Sequence, residues 1–266
     1  VAVTLSYDDQ LGRVRVEADA LGVDATYATV DRSYNGGPWA TIRGGGAIEV
    51  VSEVMQLPAD DYEFATGREG LYRVRSYDAS DVLQETQTAT ITATVDTVWL
   101  KFVARPYLNR TVTVTDWSDI ERVSRNGLFS VVGRPDPIAI TDVHSSRSFT
   151  LSLLAETLDE ADQLDFALSS GLVVLLHCPA DCGVPTMYAA IGDYKQARTS
   201  RRGVRRRFDI PLTEVAKPGP DVVGSAGTWQ LLLDTFATWQ EVLDENDSWS
   251  DVAQLIGDEA DVIVGP

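Results

Sequence analysis

Arg147 to Leu176 reads RSFTLSLLAETLDEADQLDFALSSGLVVLL. It spells strand, helix, strand. Phe149, Leu151 and Leu153 alternate with Ser148, Thr150 and Ser152, which gives a first strand one apolar and one polar face. Thr157 followed three residues later by Glu160 is a capping box, supplying acceptors to the unpaired N–H groups of a helix start. Leu158, Ala161, Leu164 and Leu168 then share one side of a helix predicted over 158–170, away from Asp159, Glu160, Asp162 and Asp165. Gly171 stands where a helix end needs a residue free to take positive φ. The unbroken apolar run Leu172 to Leu176 predicts a second strand covered on both faces. One helix held between strands is the seed of a β-rich domain, and the rest of the chain is read around it.

Upstream, the first third alternates in short segments: Val14–Val16, Tyr27–Val30, Ile48–Val51, Leu71–Tyr77 and Ile91–Val95. Asn35-Gly36-Gly37-Pro38 and Gly44-Gly45-Gly46 punctuate them, a spacing that predicts a β-sandwich over residues 1–95. Trp39 is expected to fill the space between its sheets. In YRVRSYD, Tyr72 and Val74 face one way and Arg73 and Arg75 the other. The segments TYATVDRSYNGGPWATIRGG and LYRVRSYD resemble a fibronectin type III module, a fold that hosts many roles and says little of function by itself.

Asp96-Thr97 is read as a junction, and 97–217 as the second domain. Strands are expected near Val98–Val103, Thr111–Thr115, Leu128–Val132 and Ile138–Thr141, with Met187–Ile191 and Arg205–Leu212 following the organising stretch. Lys217-Pro218-Gly219-Pro220 ends the domain. Beyond it, TWQLLLDTFA, TWQEVLDEND and SWSDVAQLIG form a ten-residue repeat that places Trp229, Trp239 and Trp249 at equal spacing. Each unit reads as a short capped helix, too short to persist alone, so its tryptophan is the expected docking group. From Asp221 onward there are ten acidic residues and no Lys or Arg. The segment 221–266 is therefore expected to be an acidic, Trp-bearing strap on its own domain or on a neighbouring subunit.

The 266 residues carry a net charge of −18, which disfavours non-specific nucleic-acid binding by the chain as a whole. Apolar content of 44% suffices for real cores, and no apolar run reaches membrane-spanning length. The N-terminus shows no basic region followed by an apolar stretch, so assembly in a cytoplasm is the simplest expectation.

Candidate chemistry is sparse. His177, Cys178 and Cys182 lack zinc-ligand spacing and read as a solvent-facing loop with reduced thiols or one local disulfide. There is no nucleophile elbow, Walker loop or H-E-x-x-H, so the residues argue against an enzyme and imply no cofactor. The concentrated positive charge is Lys195, Arg198, Arg201, Arg202, Arg205, Arg206 and Arg207, flanking Gly203 as a hairpin tip. Three readings stand: a solvated β-arm, a nucleic-acid patch, or a socket for acidic segments of a neighbour. The acidic tail of the same chain favours the socket.

The block VWLKFVARPYLNRTVTVTDWSDIERVSRNGLFSVVGRPDPIAITDVHSSRSFTLSLLAETLDEADQLDFALSSGLVVLL, with IGDYKQAR, RRFDIPLTEV and the TWxxxLD decads, resembles minor tail and distal-tail proteins of long-tailed actinobacterial phages. The resemblance spans about residues 97–266. It implies a tail-tube or distal-tail-like β-sandwich with one helix, in a virion protein that forms a six-fold or three-fold ring at the tail tip. The implied partners are copies of itself and other tail components such as tail tube, hub or tape measure, with no membrane and no catalytic residues. Trp229, Trp239, Trp249, Arg201, Arg202, Arg205 and Arg206 are then the expected subunit-interface residues. The rival reading is a host-surface glycan-binding module that uses Tyr34, Trp39 and Tyr62 as stacking platforms. If the decads clamp a neighbour, Trp239→Ala weakens assembly more than monomer folding; a mutant that still elutes as a full ring on size exclusion contradicts this.

Overall fold

The computed structural model describes residues 3–50, 57–130, 132, 133, 135–219 and 242. The chain is mainly β, and among the described residues one α-helix runs for more than a single residue. In order come β1 (Thr4–Asp8), β2 (Arg13–Ala18), β3 (Tyr27–Tyr34), β4 (Ala40–Thr41), β5 (Ile48–Glu49), β6 (Leu57–Asp61), β7 (Arg68–Tyr77) and β8 (Leu83–Ala93). Then follow β9 (Trp99–Phe102), β10 (Arg110–Thr111), β11 (Thr113–Trp117), β12 (Gly127–Phe129), β13 (Ile138–Ile140), β14 (Ser148–Ala155), α1 (Leu158–Ser169), β15 (Val174–His177), β16 (Met187–Ile191), β17 (Lys195–Arg198) and β18 (Arg206–Glu214). Two compact units result. One is Val1–Asp96 with Lys101–Asn109 and the chain from Pro218; the other is Thr97–Leu100 with Arg110–Lys217.

In the first unit a three-stranded sheet, β1-β2-β6, accompanies a five-stranded one, β4-β3-β7-β8 with β5 on β3. Alternation sends Val14 and Val16 of β2, Ala28 and Val30 of β3, and Tyr72 and Val74 of β7 into the core. Arg32 shares their parity and is buried. Its guanidinium donates to the Asp61 carboxylate on β6, which also accepts from the Tyr72 hydroxyl at 2.7 Å. This ion pair and tyrosine tie the two sheets together through the core, and burial followed by the Asp61 charge pushes the Tyr72 pKa up. Trp39 departs from the sequence expectation. It is 38% exposed and lies against Arg73, outside the core, because β4 pairs Ala40 with inward-facing Arg32 and alternation turns Trp39 to the opposite face of the sheet. The large side chains buried in this unit include Tyr72, Phe64 and Leu21.

In the second unit one sheet runs β10-β9-β15-β16-β18-β14-β11, with β17 also on β18. Its two edges are a single stretch of chain. Arg110 and Thr111 pair with Leu100 and Trp99, and two residues later Thr113 and Val114 pair with Leu154 and Leu153. Val112 continues the ladder by donating to the Val98 carbonyl at 2.9 Å. The sheet therefore closes on itself, so neither end of the strand order is left as a free edge. Phe149, Leu151 and Leu153 of β14 and Phe208, Ile210 and Leu212 of β18 are all buried on the face they share. The Thr157 hydroxyl caps α1 by accepting from the Glu160 N–H at 3.1 Å; the Glu160 carboxylate reaches one residue further back, to the Glu156 N–H at 2.8 Å. Gly171 closes the helix at φ 65°. Ala161, Leu164, Ala167 and Leu168 form its buried stripe.

Lys101 is the unexpected core residue, at 1% exposure. Its ammonium donates to the Gly12 and Tyr62 carbonyls at 2.6 and 2.8 Å and lies 4.7 Å from the Phe64 ring centroid. Burial holds its pKa down at about 7, against the opposing pull of Asp61 and Glu63. Between that value and the unfolded value near 10.5, the unfolded chain binds a proton that the folded chain does not. Wild-type stability measured by urea denaturation is thus expected to rise between pH 7 and pH 10 relative to Lys101→Met; parallel pH profiles contradict the assignment.

Candidate assembly surface

The β14–β18 pair sets the geometry of the second unit. Its register runs from Ser148 opposite Thr213 to Ala155 opposite Arg206. At eight residues and about 3.3 Å per residue, its two ends stand roughly 25 Å apart. A different feature of the chain grows from each end.

At the Ser148 end an arm leaves the sheet. Glu121 and Ser148 exchange N–H to carbonyl bonds of 2.9 and 3.0 Å, and farther out the Val123 N–H donates to the Ser145 hydroxyl at 2.8 Å. Arg125 pairs with Asp142 at 3.2 Å, and the Asp142 N–H donates to the Asn126 side-chain oxygen at 2.9 Å. Beyond these rungs, among the described residues, β12 and β13 pair only with each other, Leu128 opposite Ala139 and Phe129 opposite Ile138. Both faces of this ribbon are apolar and open to solvent. Leu128 is 69% exposed, Phe129 55%, Ile140 62% and Val143 69%. A lone two-stranded ribbon is marginal in water, and contiguous exposed apolar surface on a soluble fold marks a contact site.

At the Ala155 end lies the basic loop between β17 and β18. The arginines do not form one open socket. Arg206 is turned inward and donates to the carbonyls of Gly203, Val204 and Arg205 at 2.9 to 3.1 Å. Arg205 pairs with Glu156 at 2.5 Å and Arg207 with Asp209 at 3.0 Å, both at exposed positions where such pairs contribute little. Arg201 and Arg202 stand exposed on the loop.

Trp229, Trp239 and Trp249 lie outside the described residues. Of their segment, Val242 is helical and buried. The three proposed stacking aromatics are not presented together. The Tyr34 hydroxyl accepts from the Ala65 N–H at 2.6 Å, and its ring packs on Arg32 on the core side of β3. Tyr62 is half-buried with its hydroxyl engaged by Arg13, which leaves Trp39 as the outward-facing platform.

The cysteines correct the expectation of a solvent-facing loop. Cys178 is buried and unbridged, and burial, reinforced by nearby Cys182, pushes its thiol up to about 12, so it is inert at neutral pH. Among the described residues no group of His, Cys, Asp and Glu is placed to hold a metal ion. A cleft of about 300 Å³ between Arg110–Val112, β14 and α1 holds no His, Cys or Ser among its lining residues. Among the described residues no helix is long and apolar enough to cross a membrane.

The root of the arm is clamped where Arg147 meets Glu214, through contacts of 2.9 and 2.6 Å. The hydrogen bonds from Arg147 draw the Glu214 pKa down to about 2. That stabilisation is complete above the unfolded value of 4.5 and is lost as pH falls toward 2. Glu214→Gln is expected to cost about 1 kcal/mol at neutral pH, and the gap to wild type should close in acid when thermal melts are compared. Comparison with protein-family models and with curated proteins returned no match for this chain.

Proposed function

We propose that this chain is a structural protein of a phage tail tip, a minor tail or distal-tail protein whose second unit builds a ring between tail tube and baseplate or fibres. The apolar ribbon carries the reading. Among the described residues Leu128, Phe129, Ile140 and Val143 have nothing to bury against, and a second copy is the occupant that this design best accommodates. The apolar arm and the basic loop sit at opposite ends of one strand pair, so the unit is polar from end to end. A polar subunit makes unlike contacts with its neighbours, and unlike contacts close into rings. The acidic segment 221–266, with ten carboxylates and no Lys or Arg, is complementary to exposed Arg201 and Arg202. The closed sheet with one packed helix agrees with the tail-protein resemblance of residues 97–266. The three-plus-five strand order of the first unit likewise favours a fibronectin type III-like module. The role is architectural rather than catalytic, exercised in the virion tail after assembly in the host cytoplasm, with further tail proteins above and below the ring.

The test is the oligomeric state of the full chain, read by light scattering and negative-stain imaging. Wild type is expected as a six-fold or three-fold ring. Leu128→Asp combined with Ile140→Asp should give a monomer with an unchanged circular dichroism spectrum, since neither side chain is buried within the subunit. A wild-type protein that stays monomeric at high concentration overturns the proposal.

A further inference from the structure

The outer face of the five-stranded sheet carries a ladder of alternating rings and charges. Register sets Asp31 opposite Arg73, Thr29 opposite Arg75 and Tyr27 opposite Tyr77. On the other side of β7, Thr88 lies opposite Arg73 and Thr86 opposite Arg75. One oxygen of the buried Asp31 carboxylate accepts from both guanidinium groups, at 2.8 Å from Arg73 and 3.0 Å from Arg75; the other accepts from the Thr41 hydroxyl at 3.0 Å. Trp39 stacks on Arg73 with 4.1 Å from guanidinium carbon to ring centroid. At the opposite end Arg75 approaches the Tyr77 ring at 5.8 Å, and Tyr77 stacks on Tyr27 at 5.2 Å with planes 15° apart.

Arg73 and Arg75 share one anion, Asp31, which leaves a local excess of one positive charge, bordered by exposed Glu69 on the same face of β7 and by Glu49 opposite Tyr27. Among the described residues, Asp31 engages Arg75 through one terminal nitrogen and Arg73 through Nε and one terminal nitrogen. Each guanidinium thus keeps its other terminal nitrogen for a ligand. The arginine side chains remain 23% and 32% exposed. Thr86, Thr88 and Thr90 add a row of exposed hydroxyls on the neighbouring strand. Asp81, which accepts from the Tyr27 hydroxyl at 2.8 Å, puts a negative charge beyond the far end of the strip. The accessible span for an anion therefore runs from Trp39 to Tyr77.

We infer that this strip binds an anionic oligosaccharide. A sugar ring stacks on Trp39 or Tyr77, a carboxylate or phosphate lies on Arg73 and Arg75, and ring hydroxyls meet the threonine row. Rings spaced along a flat, hydroxyl-lined face suit a chain of pyranoses better than a peptide, and the negative charge of the whole molecule disfavours a nucleic acid. The site belongs to the first unit alone and is independent of ring formation.

Calorimetric titration of the full chain with oligogalacturonate, a phosphomannan and neutral maltohexaose tests it. Binding of either anionic polymer, weakening as salt is raised, is expected; the tighter of the two identifies carboxylate or phosphate as the recognised group. Trp39→Ala and Arg75→Gln should each weaken it roughly tenfold, the effect of losing one cation–π or charge-assisted contact. Thr88→Glu, which sets a negative charge beside Arg73 at an exposed position, should abolish it while leaving the melting temperature unchanged. No binding of either anionic polymer, equal binding of maltohexaose, or affinity that all three variants leave intact overturns the inference.

Discussion

The pairing of β14 with β18 is the contact on which the second unit depends. Phe149, Leu151 and Leu153 from one strand and Phe208, Ile210 and Leu212 from the other point to the same side and are almost completely removed from water. Burying side chains of this size contributes on the order of 2 kcal/mol each. A slip of one residue would exchange all six for Ser152, Asp209 and their polar neighbours, so register is strongly specified. The opposite face reinforces it, since the Ser152 hydroxyl donates to the Asp209 carboxylate at 2.6 Å across the pair. With this register set, the apolar arm must emerge at one end and the basic loop at the other. The end-to-end polarity of the unit is a consequence of strand pairing rather than a separate device.

The first unit is organised by two carboxylates instead. Asp31 and Arg32 are adjacent on β3, and strand alternation sends them to opposite faces. Arg32 goes inward to Asp61 and helps join the sheets; Asp31 goes outward and gathers Arg73 and Arg75. A buried ion pair is a weak source of net stability but a strong penalty against mispairing, because a lone Asp61 or Arg32 would be left in a low-dielectric core. The outer cluster is only partly withdrawn from water, so its guanidinium groups retain capacity for a ligand.

An assembly role and a recognition role are physically compatible because they draw on different surfaces. Apolar side chains on the ribbon favour a permanent partner that excludes water, since the hydrophobic gain grows with buried area. The ring-and-charge strip favours a hydrated, exchangeable ligand, whose affinity falls with salt.

The sequence by itself determined the local elements. The serine and leucine alternation of β14, the Thr157–Glu160 cap, the stop at Gly171, and the opposite facing of Tyr72 and Arg73 all depend on neighbours within a few residues, and periodicity reports such relations directly. Only the tertiary structure decided which surface each face would meet. Trp39 read as core and lies outside it; Lys101 sits in an apolar strand and is buried; Leu128 and Ile140 read as ordinary strand residues and are left in solvent. Closure of the sheet through Val112 joins strands from opposite edges, and the sharing of Asp31 between two arginines joins residues more than forty positions apart. A periodic pattern shows that residues share a face. Whether that face is covered depends on chain segments distant in sequence, whose approach is set by the balance of all pairings at once.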